Sequence, residues 1–276
     1  MCGIVGFTGR ENALPILIKG LYSLEYRGYD SAGIAAFTRD GLRVVKTQGR
    51  ISNLEEKIQE EGGLDCTCGI GHTRWATHGE PSDRNSHPHL GGRDGKGKVA
   101  VVHNGIIENY KDLRESLEAH GYTFQSETDT ETVAHLVDYL HTGKQEDLAQ
   151  TVLSAVQRIR GSYALGVVSM DNPEEIVAAR RDNPLVIGIG EGENMIASDI
   201  TAIISRTKKY IILDDNEVAI VRPDSVVVMN EFGDVVEKAV QTVNWDLSAA
   251  EKGGYQHFML KEIMEQPKAV ADTVKP

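Results

Sequence analysis

The second half of the chain consists of short apolar segments that recur every eight to twelve residues. That spacing predicts β-strands separated by turns. The helical patterns lie in separate runs, mainly in the first half of the chain. This segregation favours an α+β fold with layered sheets over a regular βαβ repeat. The strands predicted in the second half are Tyr163–Ser169, Ile176–Arg180, Val186–Ile189, Ile211–Leu213, Val218–Val221 and Val226–Met229.

The first half opens with an apolar run behind Cys2, which predicts a buried strand. Leucine and isoleucine then recur at helical spacing and predict a helix that ends near Gly28. Ser52 and Glu55 form a capping-box pattern, which predicts the start of another helix. A hairpin, one further strand and three helices are predicted at Ser31–Phe37 with Leu42–Gln48, Val99–His103, Asn109–Gly121, Glu131–His141 and Asp147–Arg158.

Two stretches do not fit this alternation. Residues 76–98 are polar and rich in Gly, His, Ser, Asp and Pro, which predicts a long loop outside the core. Near the end, Tyr255–Glu265 predicts a short helix that Pro267 stops, and a new helical pattern then begins at Lys268. Because a domain rarely ends on a new element, we expect these last residues to lead into another domain.

Composition excludes several classes of partner. The 276 residues carry a formal net charge of −12, which argues against nucleic acid or an anionic membrane as a partner. No apolar stretch approaches the roughly 18 residues of a membrane span, and no signal peptide is evident. The three cysteines (Cys2, Cys66 and Cys68) are typical of reduced thiols, so we expect a cytoplasmic protein. No glycine-rich phosphate loop is present, and we expect no cofactor.

Cys2, directly behind the initiator methionine, is the first candidate catalytic residue. Once Met1 is removed, Cys2 carries a thiol and an α-amine with a pKa of about 7.7–8.0 on the same residue. An amine in that range serves well as a general base near neutral pH, and an adjacent base activates a thiol. The alternative is that Cys2 is an accidental small residue at a frayed terminus.

Asn104-Gly105 follows an apolar strand and offers a side-chain amide beside a backbone N–H group. The pair suits an oxyanion hole, in which removal of one donor typically costs about a hundredfold to a thousandfold in rate. Asn-Gly is also the commonest turn dipeptide, and the pair alone favours the turn interpretation.

Arg74 and Asp129 are candidates for binding the two charged ends of an amino acid. Arg74 stands at a strand-to-loop junction and could bind a carboxylate through two hydrogen bonds, although a surface ion pair is the commoner fate of an arginine. Asp129 could bind an amine, or it could cap the helix that is predicted from Glu131.

Metal sites are poorly supported. Cys66 and Cys68 lie near His72, but no second cysteine pair follows at structural-zinc spacing. In an alternating strand both cysteines would face one side, so ordinary packing accounts for them. His87 and His89 lack a third ligand in a recognisable pattern. We therefore expect no metal.

Five segments together resemble the class II glutamine amidotransferases, a family of N-terminal-nucleophile hydrolases. The segments are Cys2–Gly6, Tyr26–Ile34, His72–Gly79, His103–Gly105 and Asp129, and the resemblance runs from Cys2 to about Val243. Within the family, the motifs HTRWATHG and YRGYDSAGIA favour the branch that makes amino sugars. The resemblance implies a four-layer αββα sandwich of two antiparallel sheets.

The resemblance also implies a role for each matched residue. Cys2 would attack the glutamine side-chain amide, with Asn104 and Gly105 as the oxyanion hole. Arg74 would hold the α-carboxylate of glutamine and Asp129 its α-amino group. Arg27 would support the site. A loop that closes over glutamine would contain Trp75, Thr77, His78 and Gly79.

The domain organisation implied is a glutaminase domain at residues 1–243 and, at 244–276, a linker with the start of an absent sugar isomerase domain. The implied activity is hydrolysis of L-glutamine to glutamate and ammonia, with the ammonia passing to fructose 6-phosphate to give glucosamine 6-phosphate. The isomerase domains of the full-length chain would be its partners, and a homo-oligomer is expected.

Three alternatives stay open at this stage. The domain could serve another class II amidotransferase, with a phosphoribosyl or aspartyl acceptor. It could be a non-catalytic module that senses glutamine, although Cys2 together with Asn104 and Gly105 argues against this. It could also be an N-terminal-nucleophile peptidase, although Arg74 and Asp129 suit a free amino acid better than a peptide.

Overall fold

The computed structural model of the chain describes residues 2–93, 97–141, 147–244, 255 and 257–274. The chain divides into two compact units, Met1–Thr242 and Val243–Pro276. No helix in the described ranges is long and apolar enough to cross a membrane. Of the predicted elements, the start of the last helix at Tyr255 and Gln256 lies partly outside the described residues.

The strands of the first unit form two antiparallel sheets. The first sheet has eight strands in the order β15-β11-β9-β10-β1-β4-β2-β3. Its members are β1 (Gly3–Gly9), β2 (Ser31–Thr38), β3 (Gly41–Gln48), β4 (Cys68–Arg74), β9 (Val186–Ile189), β10 (Glu193–Ala197), β11 (Lys209–Ile212) and β15 (Gln241–Thr242).

The second sheet has seven strands in the order β14-β13-β12-β8-β7-β6-β5. Every strand pairing recorded in either sheet is antiparallel. The members are β5 (His89–Gly91), β6 (Val99–Ile107), β7 (Gly161–Ser169), β8 (Asn172–Arg181), β12 (Val218–Arg222), β13 (Ser225–Met229) and β14 (Val235–Val236).

Helices cover the outer face of each sheet. In the first unit they are α1 (Ala13–Leu24), α2 (Ile51–Glu60), α3 (Tyr110–Ala119), α4 (Asp129–Leu140) and α5 (Leu148–Val156), and short 3-10 turns occur at Glu25–Arg27 and Ile200–Ala202. The second unit contains α6 (Phe258–Val274).

Three buried apolar clusters define four layers. One packs α1 and α2 on the first sheet, through residues such as Leu17 and Leu54. A second packs α4 and α5 on the other sheet, through residues such as Val133. The third lies between the sheets, where Ile4 and Ile176 meet. The predicted α+β sandwich with αββα layers is therefore confirmed.

The pattern-based element predictions hold for the hairpin β2–β3 and for α1, whose apolar stripe faces the sheet. Two predictions about element ends are wrong. Helix α2 starts at Ile51 after Arg50, without a side-chain capping bond, so Ser52 is not the cap. Helix α6 runs through Pro267 instead of stopping before it.

Tertiary packing accounts for three further differences from the sequence-based expectations. Strand β10 was not predicted, although it pairs with β1 in the middle of the first sheet. Residues 76–98 are not a wholly exposed loop, since Ser86 and His87 are buried. Cys66 packs in the cluster beneath α1 and α2, whereas Cys68 lies between the sheets, so the two cysteines do not share a side.

The buried part of that segment lies against the first sheet at Gly33. In the sheet, Gly33 of β2 pairs with His72 of β4. A Cβ atom on Gly33 would lie 2.2 Å from the carbonyl oxygen of His87. The missing side chain therefore lets the His87 backbone approach the sheet, where the His87 ring stacks on His72 with centroids 4.2 Å apart.

Three histidine rings pack against one another at this contact between the segment and the sheet. His89 lies 4.9 Å from His87, centroid to centroid, and both rings are buried together with His72. Burial lowers the pKa of His72 to about 3 and holds the pKa values of His87 and His89 well below their usual range. The three rings are therefore neutral near pH 7.

We predict that Gly33→Ala destabilises the fold by about 3 kcal/mol, because its methyl group would overlap a backbone atom that cannot move alone. Gly62→Ala is the matched control, since Gly62 is exposed at φ +90° with nothing near its Cβ position. Its free energy of unfolding should fall by only about 1 kcal/mol, because alanine is less favourable than glycine at a positive φ. Urea unfolding measures both changes, and equal losses would contradict the steric account.

We also predict a histidine-dependent loss of stability in mild acid. A histidine with a lowered folded-state pKa binds fewer protons when folded than when unfolded, so stability falls as pH drops below about 6.5. His87→Phe keeps a stacking ring but cannot titrate. Between pH 6 and 5 its free energy of unfolding should depend on pH less steeply than that of the wild type, by up to about 1.4 kcal/mol per pH unit. An unchanged slope in urea titrations would contradict this prediction.

Candidate active site

Cys2 immediately precedes β1, which lies between β10 and β4 in the first sheet. The backbone N–H of Trp75 donates to Cys2 Sγ at 3.2 Å, and the thiol lies 3.5 Å from the carbonyl oxygen of Trp75. The sulfur is thus held by the backbone at the end of β4. Met1 lies outside the described residues.

The thiol of Cys2 is not activated by its surroundings alone. Burial raises its pKa, and this effect outweighs the hydrogen bond from Trp75 and the nearby Arg74 charge, which act in the opposite direction. The sulfur is therefore mainly protonated near neutral pH. Chemistry at this sulfur requires a base that removes the proton at the moment of attack.

Asn104 lies on β6 of the second sheet, and its side chain contacts Cys2. Its Nδ2 donates to the carbonyl oxygen of Cys2 at 3.2 Å, and its Oδ1 lies 3.0 Å from His72 Nε2. Strand β6 does not end before Asn104, as was predicted, but continues to Ile107. The turn interpretation of Asn104-Gly105 is therefore wrong.

Gly105 occupies a conformation that few other residues adopt. Its φ is +131°, and a Cβ atom there would lie 2.1 Å from the carbonyl oxygen of Ser162 on the adjacent strand. A side chain is excluded by both the backbone angle and the space. The glycine therefore allows β6 and β7 to stay paired at the edge of the cavity.

Arg74 is buried and contacts the loop that follows it. Its guanidinium donates to the carbonyl oxygens of His78, of Gly79 at 3.1 Å and of Glu80 at 3.4 Å. The alternative of a surface ion pair is wrong, because the residue is 4% exposed. Arg74 thereby fixes the path of the chain through residues 78–80.

Asp129 lies at the first position of α4. The helix is capped by Thr128, whose side chain accepts from Glu131 N, so Asp129 is not the N-cap. Its Oδ2 accepts from the backbone N–H of Ile107 at 2.8 Å. Asp129 is buried, and its side chain lies at the positive end of the α4 helix dipole.

Arg27 makes structural contacts beside the candidate site. It pairs with Asp199 Oδ2 at 2.5 Å and also donates to the carbonyl oxygen of Ser198 at 3.5 Å. The hydroxyl of Ser198 in turn accepts from the backbone N–H of Ile4 at 2.9 Å. Through these bonds Arg27 is linked to the strand that carries Cys2.

One cavity of about 370 Å³ brings most of the predicted residues together. His78 and Gly79 do not line it and contact Arg74 through their carbonyl groups. The predicted residues that line the cavity are Cys2, Arg27, Arg74, Trp75, Thr77, Asn104, Gly105 and Asp129. Sequence reasoning did not predict the other lining residues, which include Thr128, Thr130, Ser162 and Asn183.

Asp30 is a supporting residue that sequence reasoning missed. Its backbone N–H donates to the Arg74 carbonyl oxygen at 3.1 Å, and its Oδ2 accepts from Ala76 N at 2.8 Å. Nearby, a Cβ on Gly28 would lie 2.8 Å from the Arg74 backbone. The YRGYD motif, residues 26–30, therefore fixes the backbone of residues 74–76, and Trp75 in turn donates to the Cys2 sulfur. The motif was recognised in the sequence, but only the fold shows this contact.

No group of three or more His, Cys, Asp or Glu side chains in the described ranges has the arrangement of a metal site. Of the charged side chains at the cavity, Arg27 is paired with Asp199, whereas Arg74 and Asp129 are of opposite sign and suit a zwitterion. A sulfur, an amide donor and two opposite charges around a small cavity are the parts needed to bind an amino acid and attack its side chain.

Comparison with known proteins identifies the same family. A family model described as "Glutamine amidotransferase domain" matches residues 72–205. The chain is 52% identical over 274 residues to the glutamine–fructose-6-phosphate aminotransferase [isomerizing] of Clostridium tetani, covering 99% of this chain and 44% of the relative. It is 54% identical to the protein of that name from Caldanaerobacter subterraneus, covering 100% and 44%. The chain thus spans less than half the length of these relatives.

Solved structures of amidotransferases also resemble this chain in fold and in sequence. The glutamine phosphoribosylpyrophosphate amidotransferase from B. subtilis, complexed with ADP and GMP, has a TM-score of 0.69 at 28% identity, over 85% of this chain and 50% of that one. A structure described as the allosteric regulatory enzyme of purine biosynthesis has a TM-score of 0.71 at 29% identity, over 83% and 49%. With these matches and the site geometry together, the chain belongs to the glutamine amidotransferases, in their class II, N-terminal-nucleophile group.

Proposed function

We propose that this domain hydrolyses L-glutamine to glutamate and ammonia through a thioester on Cys2. One observation carries the proposal: the Cys2 sulfur shares a cavity with an amide donor, a cation and an anion. The donors suit the oxygen of a reacting amide, and the two charges suit the ends of a free amino acid. The cavity volume of about 370 Å³ suits a ligand of that size.

In the proposed first step, the free α-amine of Cys2 takes the proton from its thiol while the sulfur attacks the side-chain amide carbon. The burial that raises the thiol pKa makes such a built-in base necessary. Asn104 Nδ2 and the backbone N–H of Gly105 would hold the oxygen that becomes negative. The proton then passes to the departing nitrogen, the C–N bond breaks, and ammonia leaves.

In the second step, water attacks the thioester carbon with the α-amine again accepting a proton. The carbon–sulfur bond breaks, and glutamate and the Cys2 thiol are restored. Arg74 would bind the α-carboxylate and Asp129 the α-ammonium throughout. Trp75, Thr77, His78 and Gly79 would form the segment that covers bound glutamine, since Arg74 already fixes residues 78–80 at the cavity.

For the full protein, we propose that ammonia passes to fructose 6-phosphate and yields glucosamine 6-phosphate. The support is the name of the relatives that are 52% and 54% identical. Sugar isomerase domains would then be the partners of a glutaminase domain at residues 1–243, joined through 244–276. A homo-oligomeric, cytosolic enzyme is the corresponding expectation.

Two other functions are less well supported. An acceptor other than a sugar phosphate would fit the chemistry of the site equally, but the relatives that are 52% and 54% identical over the aligned residues bear one name. A glutamine-sensing module would need the two charged residues but no nucleophile. The backbone bond that holds the Cys2 sulfur toward the cavity favours catalysis.

We predict that the domain, with Met1 removed and Cys2 confirmed as the N-terminal residue by intact mass, releases glutamate from glutamine. Cys2→Ala should lose at least about a thousandfold in kcat, since no other group can form the thioester. Cys66→Ala is the matched control, because Cys66 is buried beneath the helices, away from the cavity. It should keep kcat within about twofold. An active Cys2→Ala variant would refute the mechanism.

We predict that Asp129→Asn raises KM for glutamine about tenfold to a hundredfold, the usual cost of losing a charged hydrogen bond. The asparagine oxygen can still accept from Ile107 N, so the helix start is preserved. Glutaramate, which lacks the α-amine, is the control substrate: its KM should differ little between the two proteins. An equal rise for both substrates would instead indicate a structural defect.

A further inference from the structure

The His72 ring spans the space between the two sheets. It belongs to β4 in the first sheet and is completely buried. Its Nε2 lies 3.0 Å from Asn104 Oδ1 and 3.0 Å from the carbonyl oxygen of His103, and both of these residues belong to β6 in the second sheet. A single ring nitrogen therefore contacts two oxygens at the edge of the cavity.

The contact with the His103 carbonyl oxygen determines which ring nitrogen of His72 carries the hydrogen. A backbone carbonyl oxygen can only accept, so Nε2 must carry the hydrogen. The same N–H then points at Asn104, whose amide must turn its oxygen toward His72 because an NH₂ group would repel it. The Asn104 nitrogen accordingly faces the opposite way, where it donates to the Cys2 carbonyl oxygen at 3.2 Å.

We propose that His72 is a positioning residue for the reaction: it holds the Asn104 amide so that its second N–H faces the cavity. The proposal rests on the glutaminase function and adds to it a group that does not touch substrate. Without the His72 donor, only the bond to the Cys2 carbonyl oxygen still opposes rotation of the amide by half a turn, and the rotated amide becomes accessible. It would then present an oxygen to a developing negative charge, which reverses its contribution to the reaction.

The surroundings of His72 suit this task. The ring is held by its stack on His87, with centroids 4.2 Å apart, and Gly33 leaves room for that stack. Burial keeps the ring neutral, because its pKa is lowered to about 3. The groups whose charge acts on the ring are His103, which is also buried, and Arg74, and both lower the pKa of His72. The donor is thus present at every pH at which the enzyme would work.

The decisive experiment compares His72→Phe with His72→Gln in glutamine hydrolysis. His72→Phe keeps a stacking ring but no donor, and its kcat should fall about tenfold to a hundredfold, less than for outright loss of an oxyanion donor. KM should stay within about twofold, since Arg74 and Asp129 are untouched. His72→Gln restores an N–H of similar reach and should recover most of kcat. Equal kcat in His72→Phe and wild type would overturn the proposal.

Cys2 alkylation by iodoacetamide separates this role from damage to the nucleophile. That displacement forms no oxyanion, so its rate and pH profile should be the same in His72→Phe and wild type. His135→Phe is the matched stability control, because His135 is equally buried and accepts from Gly92 N, away from the cavity. It should lower the melting temperature without lowering kcat. A slowed alkylation in His72→Phe would contradict the positioning role.

If His72→Phe does not fold, ¹⁵N NMR of the wild-type imidazoles decides. The proposal requires a neutral His72 ring protonated on Nε2 from pH 6 to 8. A ring protonated on Nδ1, or a charged ring, would overturn it. Failure of the proposed function gives a different result, because the wild-type protein would then release no glutamate.

Discussion

The placement of strand β1 between β10 and β4 is the constraint on which the site depends. All seven of its residues are buried, and both edges of the strand are paired. Beyond the end of β10 the pairing continues, since Ser198 N donates to the Ile4 carbonyl oxygen at 3.0 Å and its hydroxyl accepts from Ile4 N. The hydrogen bonds on both edges of such a strand also fix the position of the residue just before it. A nucleophile has to be placed with this kind of precision.

Near this strand the interior between the sheets contains polar side chains whose hydrogen bonds join the two sheets. His72 joins β4 to Asn104 on β6, and Thr130 lies 2.9 Å from His103 Nδ1. Buried donors and acceptors are costly unless they are paired, so these bonds define one register between the sheets. The apolar cluster between the sheets stabilises their packing, and the polar contacts determine where the Asn104 side chain lies.

Much of the fold could be predicted because hydrophobic periodicity is a local signal. The hairpin β2–β3 and helix α1 follow directly from their apolar spacing. Strand β10 was missed because its apolar residues are few and stand after a glycine-rich stretch; its partners on both sides supply what its own sequence lacks. The Pro267 stop failed because a proline weakens the interior of a helix without always ending it.

The residues of the site could be recognised because the motifs around Cys2, Arg74 and Asp129 resemble those of the class II glutamine amidotransferases, whereas an arginine or a carboxylate alone more often has a structural role. Only the tertiary structure decided how they act together. Gly105 lies inside a strand and not in a turn, and Asp30 grips the segment that holds Cys2. The physical reason is that hydrogen bonds between strands distant in sequence leave no periodic pattern. A sequence therefore names the reacting groups, while the packed sheets determine their orientation.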